Sequence, residues 1–141
     1  MDELAYSDAT ALVQKIKSKQ ISSADLLEHF IARMEKYNPE INAIIVTQLE
    51  KARARARQAD EALARGEDWG PLHGLPMTVK ESYNIEGLPT TWGNPLLKDN
   101  IASADAVACE RLQNAGAVIF GKTNVPIFLA DFQSYNEVYG T

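Results

Sequence analysis

The sequence is poor in the residues that staple or metallate small domains. It has one cysteine, Cys109, and two histidines, His29 and His73. A lone cysteine excludes an internal disulfide and fits a reducing compartment, so a cytoplasmic location is expected. His29 falls inside a predicted helix without a partner at i+4. His73 lies in a turn, where holding the turn by hydrogen bonds is its expected task. Neither has Cys, Asp or Glu at ligand spacing, so no metal is expected. No apolar run approaches the roughly 20 residues that cross a bilayer. The opening MDELAYSDAT has no basic region followed by an apolar block, so neither a membrane span nor a secretory signal is expected. Positive charge is also scarce: 14 Lys and Arg against 19 Asp and Glu leave a net charge of −5, which argues against direct nucleic-acid binding. No serine sits in a GxSxG elbow or a glycine-rich surround, so no nucleophile motif is visible.

The 141 residues, 45% of them hydrophobic, suffice for the core of one domain. Ser7 is expected to cap a helix through Leu12, Val13 and Ile16. Ser22 to Asp25 resembles a capping box, and Leu26, Leu27, Phe30, Ile31 and Met34 continue the helix it opens, which should stop before Pro39. Ile41 to Thr47 reads as a buried strand. Glu50 to Arg65 reads as a third helix with Gly66 just past its end. The Arg53, Arg55 and Arg57 run, offset by Glu50, Asp60 and Glu61, reads as a solvated helix face. Ser103 should cap a helix from about Val107 to Ala115, with Asp105 in its first turn and Cys109 packed on its flank. Ala117 to Phe120 reads as a second buried strand. This alternation predicts an α/β fold with helices covering a sheet.

The stretch from Gly70 to Gly93, GPLHGLPMTVKESYNIEGLPTTWG, organises the rest. Gly70, Pro71, Gly74 and Pro76 form turns, Met77 to Val79 reads as a strand, and Lys80 ends it. Alternation puts Leu75, Met77 and Val79 on one face, and Thr78 and Lys80 on the other. Two readings of Lys80 stay open on spacing alone. Its head reaches solvent, the commoner case, or it is enclosed and its lowered pKa makes it a base. The long loop that follows, out to about Ile101, is of the length that usually serves a function.

One motif competes. Gly116-Ala-Val-Ile-Phe-Gly-Lys122-Thr123 fits GxxxxGK[ST], the phosphate loop of nucleotide-binding proteins. Its four intervening residues are apolar and strand-like, and Pro126 follows where a helix should open. A phosphate-loop protein is therefore the remote alternative.

With GPLHGLPMTVKESYNIEGLPTTWG, with LQNAGAVIFGKTN after it, SSADLLEHFIARMEKYNPEINAI before it and Gly140 beyond, the chain closely resembles the amidase signature family over essentially its whole length. The resemblance implies an α/β/α fold with a mixed sheet covered by helices. It implies an amidase acting on carbon–nitrogen bonds other than peptide bonds, with no cofactor, a small-molecule amide as substrate and a Ser–cis-Ser–Lys triad in which Lys80 is the base. It also reads the Gly-Lys-Thr-Asn turn as structural. Asn94 stands where the family often has serine. Val125-Pro126-Ile127-Phe128 looks like the fatty-acid-amide branch, which implies that Leu129 lies near an acyl pocket, with core packing as the other reading. The family's glycine- and serine-rich segment is expected after Thr141. Residues 1–141 are thus expected to be the N-terminal portion of a single amidase-signature domain. That portion should be inactive alone and inclined to associate with a second copy or with the rest of the domain. A truncated, non-catalytic protein with a binding or assembly role is the alternative.

Overall fold

The computed structural model describes residues 2–141. The helices are α1 (Asp2–Ala5), α2 (Ala9–Lys17), α3 (Ser23–Ile41), α4 (Leu49–Ala64) and α5 (Val107–Asn114). The strands are β1 (Ile44–Thr47), β2 (Pro76–Lys80) and β3 (Val118–Thr123). β3 is central, with β1 antiparallel on one side and β2 parallel on the other. Alternation along β3 builds two cores. Val118 and Phe120 pack with Leu27 and Ile31 of α3 and Ala52 and Ala56 of α4. Ile119 points the other way, to Val79, Ile85 and Cys109 of α5. A mixed sheet therefore lies between helices, as the α/β/α expectation required. A third cluster joins α2 (Leu12, Val13, Ile16) to Leu26 and Leu75 at the entrance of β2.

Several local expectations give way to tertiary contacts. Asp8, not Ser7, caps α2 by accepting from the Ala11 amide at 2.8 Å, while Ser7 Oγ donates back to the Glu3 carbonyl. Ser22 does cap α3 through the Asp25 amide. That helix runs through Pro39 to Ile41 instead of stopping, because Asn38 offsets the local cost. Its side-chain amide pairs with both the N–H and the C=O of Ile44, mimicking a strand neighbour. β1 is consequently shorter than predicted, and it is half-buried at the sheet edge. α5 begins at Val107 without a side-chain cap. Asp105 instead accepts from the Glu86 amide and from Gln113 Nε2, tying the preceding loop to the helix. Arg53 lies on the solvated face, paired with Glu28 and Glu50. Arg55 does not: its guanidinium stacks 4.2 Å from the Trp69 ring and donates to the Gln113 carbonyl, and burial lowers its pKa. Asp60 caps α3, taking the Ser23 and Ala24 amides at 2.7 and 3.0 Å. No described helix is long and apolar enough to cross a membrane.

Candidate active site at the end of β2

The turn that launches β2 is built by close backbone approach. The Leu72 amide donates to the Ala115 carbonyl at 2.8 Å, and the Gly74 amide donates to that of Gly116 at 2.9 Å. Gly116 has φ +104°, and a Cβ there would stand 2.7 Å from His73 Cα. Only glycine allows this contact, which is how the GPLHG and NAGA segments pack backbone to backbone. His73 is fully buried, as a turn holder should be. Nδ1 accepts from the Trp69 amide at 3.0 Å, so Nε2 carries the proton toward the Ala59 carbonyl, also at 3.0 Å. Ser23 Oγ donates to the Gly74 carbonyl at 2.6 Å and fastens the turn to α3.

β2 then carries the chain to Lys80, which lies opposite Thr123 of β3. The backbone on either side is fixed. The Glu81 amide donates to the Thr123 carbonyl at 2.9 Å, and the Tyr83 amide to the Lys80 carbonyl at 3.0 Å. The Lys80 side chain is exposed and makes no hydrogen bond or ion pair among the described residues. It is thus an amine on a rigid base, open to whatever meets this end of the sheet.

The enclosed lysine is Lys122, fully buried in β3. Nζ donates to the Pro89 carbonyl and, at 2.9 Å, to Thr90 Oγ1. Burial lowers its pKa to about 8, with Glu81 nearby acting against the shift. Glu81 is fully buried as well. It accepts from the amides of Thr91 at 2.5 Å and Trp92 at 3.0 Å, and from the Tyr139 hydroxyl at 3.1 Å. Burial pushes the Tyr139 phenol up to about 12. Glu81 and Tyr139 escaped the sequence reading, and Lys122 entered it only within the phosphate-loop pattern and a turn that the resemblance reads as structural, where the structure has a strand. For Lys122 a signal existed: if Ala117 to Phe120 is a buried strand, the Gly121-Lys122-Thr123 that continues it is buried too. That continuation also disposes of the phosphate loop, since Gly121 to Thr123 are strand residues, not a turn opening a helix.

Leu129 lies in the turn Ile127–Leu129, half-exposed, with φ +60° beside Phe128 at +50°. The Phe128 amide donates to the Trp92 carbonyl at 2.8 Å, so this turn abuts the loop that Glu81 holds. Leu129 does not line the neighbouring cavity of about 280 Å³, which is formed by residues such as Ile127, Asp131 and Tyr135. Lys80 does not line a larger groove of about 800 Å³, where Phe30, Met34 and Tyr37 of α3 face Met77 and Thr78. Cys109 is buried against Ile119 and Val79, and burial, then Asp105, raises its thiol pKa, which suits packing. No group of three His, Cys, Asp or Glu side chains that could hold a metal occurs among the described residues.

Residues 25–141 match the family described as Amidase. The chain belongs to the amidase family. An acylamidase of Rhodococcus erythropolis is 38% identical over 123 residues, covering 87% of this chain and 26% of the relative. An indoleacetamide hydrolase of Bradyrhizobium diazoefficiens is 41% identical over 113 residues, covering 80% and 22%. Among solved structures, a fatty acid amide hydrolase superposes with a TM-score of 0.91 at 27% identity, over 98% of this chain and 24% of its own. The amidase fold therefore covers essentially the whole chain, and the chain spans about a quarter of the length of the curated relatives it matches.

Proposed function

We propose that this chain supplies the proton-accepting lysine, Lys80, of an enzyme that hydrolyses a carboxamide to a carboxylate and ammonia or an amine. What supports the reading is the amine itself: in a chain of the amidase family, it ends β2 on a fixed backbone and has no internal partner among the described residues. A lysine accepts a proton only when neutral, and covering it with protein or substrate disfavours its charged form. In the proposed reaction Lys80 takes a proton from a serine beside a cis peptide bond. That serine takes the proton of the nucleophilic serine, whose oxygen attacks the amide carbonyl. Backbone amides of a glycine-rich turn hold the oxyanion while the C–N bond breaks and the amine leaves with a proton. Water then releases the carboxylate. Both serines and the oxyanion amides belong, in this proposal, to protein sequence beyond the 141 residues. Leu129, on the turn abutting Trp92, contributes to the acyl side of the substrate site. The sheet edges and exposed apolar side chains pack against the remainder of the amidase domain, and the enzyme works in the cytoplasm.

The test uses the full-length protein and the 141-residue chain side by side, with aryl and alkyl amides and a serine-reactive fluorophosphonate. Release of ammonia or amine by the full-length protein, with neither turnover nor label on the 141-residue chain, is the expected result. A stoichiometric adduct on the short chain overturns the assignment of the nucleophile. Silence of the full-length protein on all amides overturns the activity.

A further inference from the structure

Two opposite charges are buried beside Lys80, and the hydrolytic steps use neither. Glu81 and Lys122 stand at the ends of adjacent parallel strands, for Lys122 pairs with Val79 and Thr123 with Lys80. Both are fully enclosed, yet no ion pair joins them among the described residues. Each grips the same turn instead. Lys122 holds Pro89 and Thr90 through the Pro89 carbonyl and the Thr90 hydroxyl, and Glu81 holds the next two residues through the amides of Thr91 and Trp92. Trp92 has φ +54°, so two successive N–H groups converge on one anion. This is a backbone nest, and the chain's own carboxylate fills it. An apolar pair of similar volume would serve stability at least as well as a buried pair of charges. What the charges add is a single geometry for the turn.

We propose that Glu81 and Lys122 are positioning residues that clamp the Pro89–Trp92 turn across the end of β2 and thereby fix the place and the electrostatic surroundings of Lys80; this rests on the reading of Lys80 as the base. Glu81 follows Lys80 directly: its amide pairs with the Thr123 carbonyl, as any residue's would, and its carboxylate ties this strand end to the Thr91 and Trp92 amides. The groups facing the clamp from other elements are the Tyr139 hydroxyl, on Glu81, and Cys109 of α5, near Lys122, with Asp105 beyond it. A carboxylate next to a lysine favours the charged amine, and an ammonium opposes it.

The test is kcat and KM against pH for the full-length enzyme carrying Glu81→Gln, Lys122→Met or Tyr139→Phe. Lys80→Ala is the reference. Glu81→Gln is expected to move the acid limb of kcat/KM to lower pH and Lys122→Met to move it higher, each by about half a pH unit. Each also lowers kcat by about tenfold with KM nearly unchanged. Loss of packing alone does not move the limb in opposite directions. Tyr139→Phe removes one hydroxyl and leaves both charges. It is expected to lower kcat severalfold while Tm falls by only a few degrees, and it decides the matter alone if the charge variants do not fold. Limbs that stay put or move together, or a Tyr139→Phe enzyme with wild-type kcat, overturn the clamp. Activity that survives in Lys80→Ala overturns the reading of Lys80 instead, so the two failures are distinguishable.

Discussion

Replacing Gly116 by alanine strikes where two signature segments meet. The residue has φ +104°, and an added Cβ would lie 2.7 Å from His73 Cα, 2.8 Å from His73 N and 3.1 Å from the Leu72 carbonyl carbon. These are backbone atoms that cannot rotate away. Two costs add. A non-glycine residue at positive φ costs about 1–2 kcal/mol, and forcing an extra methyl into a packed site costs about 1–3 kcal/mol. The Gly74 amide that donates to the Gly116 carbonyl must also shift, so the total is about 3–4 kcal/mol. Gly66 is the internal control. It has φ +80° but nothing within 4 Å of an added Cβ, so Gly66→Ala should cost only the first part, about 1–2 kcal/mol. Urea unfolding of the full-length protein, followed by circular dichroism, reads the difference. With a slope of about 2 kcal/mol/M, the Gly116→Ala midpoint should fall about 1 M below that of Gly66→Ala. Coincident midpoints would refute the claim that the GPLHG turn requires backbone contact at Gly116.

Other perturbations test other parts of the account. Asp60→Ala strips two amides at the start of α3 of their acceptor and should cost about 1–3 kcal/mol in urea or thermal unfolding, whereas an effect within a few tenths would deny the cap. Lys122 has a folded pKa of about 8 against an ordinary 10.5, so between those pH values the unfolded chain binds more protons and stability rises with pH. The unfolding free energy of the wild type relative to Lys122→Met should therefore increase by about 1–3 kcal/mol from pH 8 to 10.5, and a flat or falling difference would contradict the buried cation. Phe132, Leu96, Ile101 and Val107 are exposed apolar side chains, and β1 and β2 are open edges. The isolated 141-residue chain should thus associate or unfold at low denaturant in light scattering and urea titration. A monodisperse monomer with a cooperative transition would count against this.

Periodicity carried the fold well where burial is set by nearby residues. The α3 stripe of Leu27 and Ile31 and the apolar β3 run were legible because each is a local repeat, whereas the buried alanines of α4, Ala52, Ala56, Ala59 and Ala62, were masked by the arginines between them. Helix ends were less so. Ser7 and Asp8 are both good caps, and only contact with α1 selects Asp8. Ser103 loses its expected role because the Asp105 side chain and the Ala106 amide engage residues near 84–86 across the loop. The site splits the same way. Lys80 stood out because a cation ending an apolar strand is locally odd. Glu81 did not, because its partners Thr91 and Tyr139 are 10 and 58 residues away. Lys122 was hidden by a motif that suggests a loop, while the sheet makes it part of a central strand. Arg55 shows the converse, an alternating basic run in which one side chain turns inward to Trp69.

The central claim is that Lys80 accepts the proton that starts amide cleavage, and one measurement bears on it directly. In the full-length protein, kcat for the best amide substrate should fall by about 10²–10⁴-fold in Lys80→Ala, with Tm and substrate KM little changed. A Lys80→Ala enzyme that turns over at the wild-type rate would contradict it.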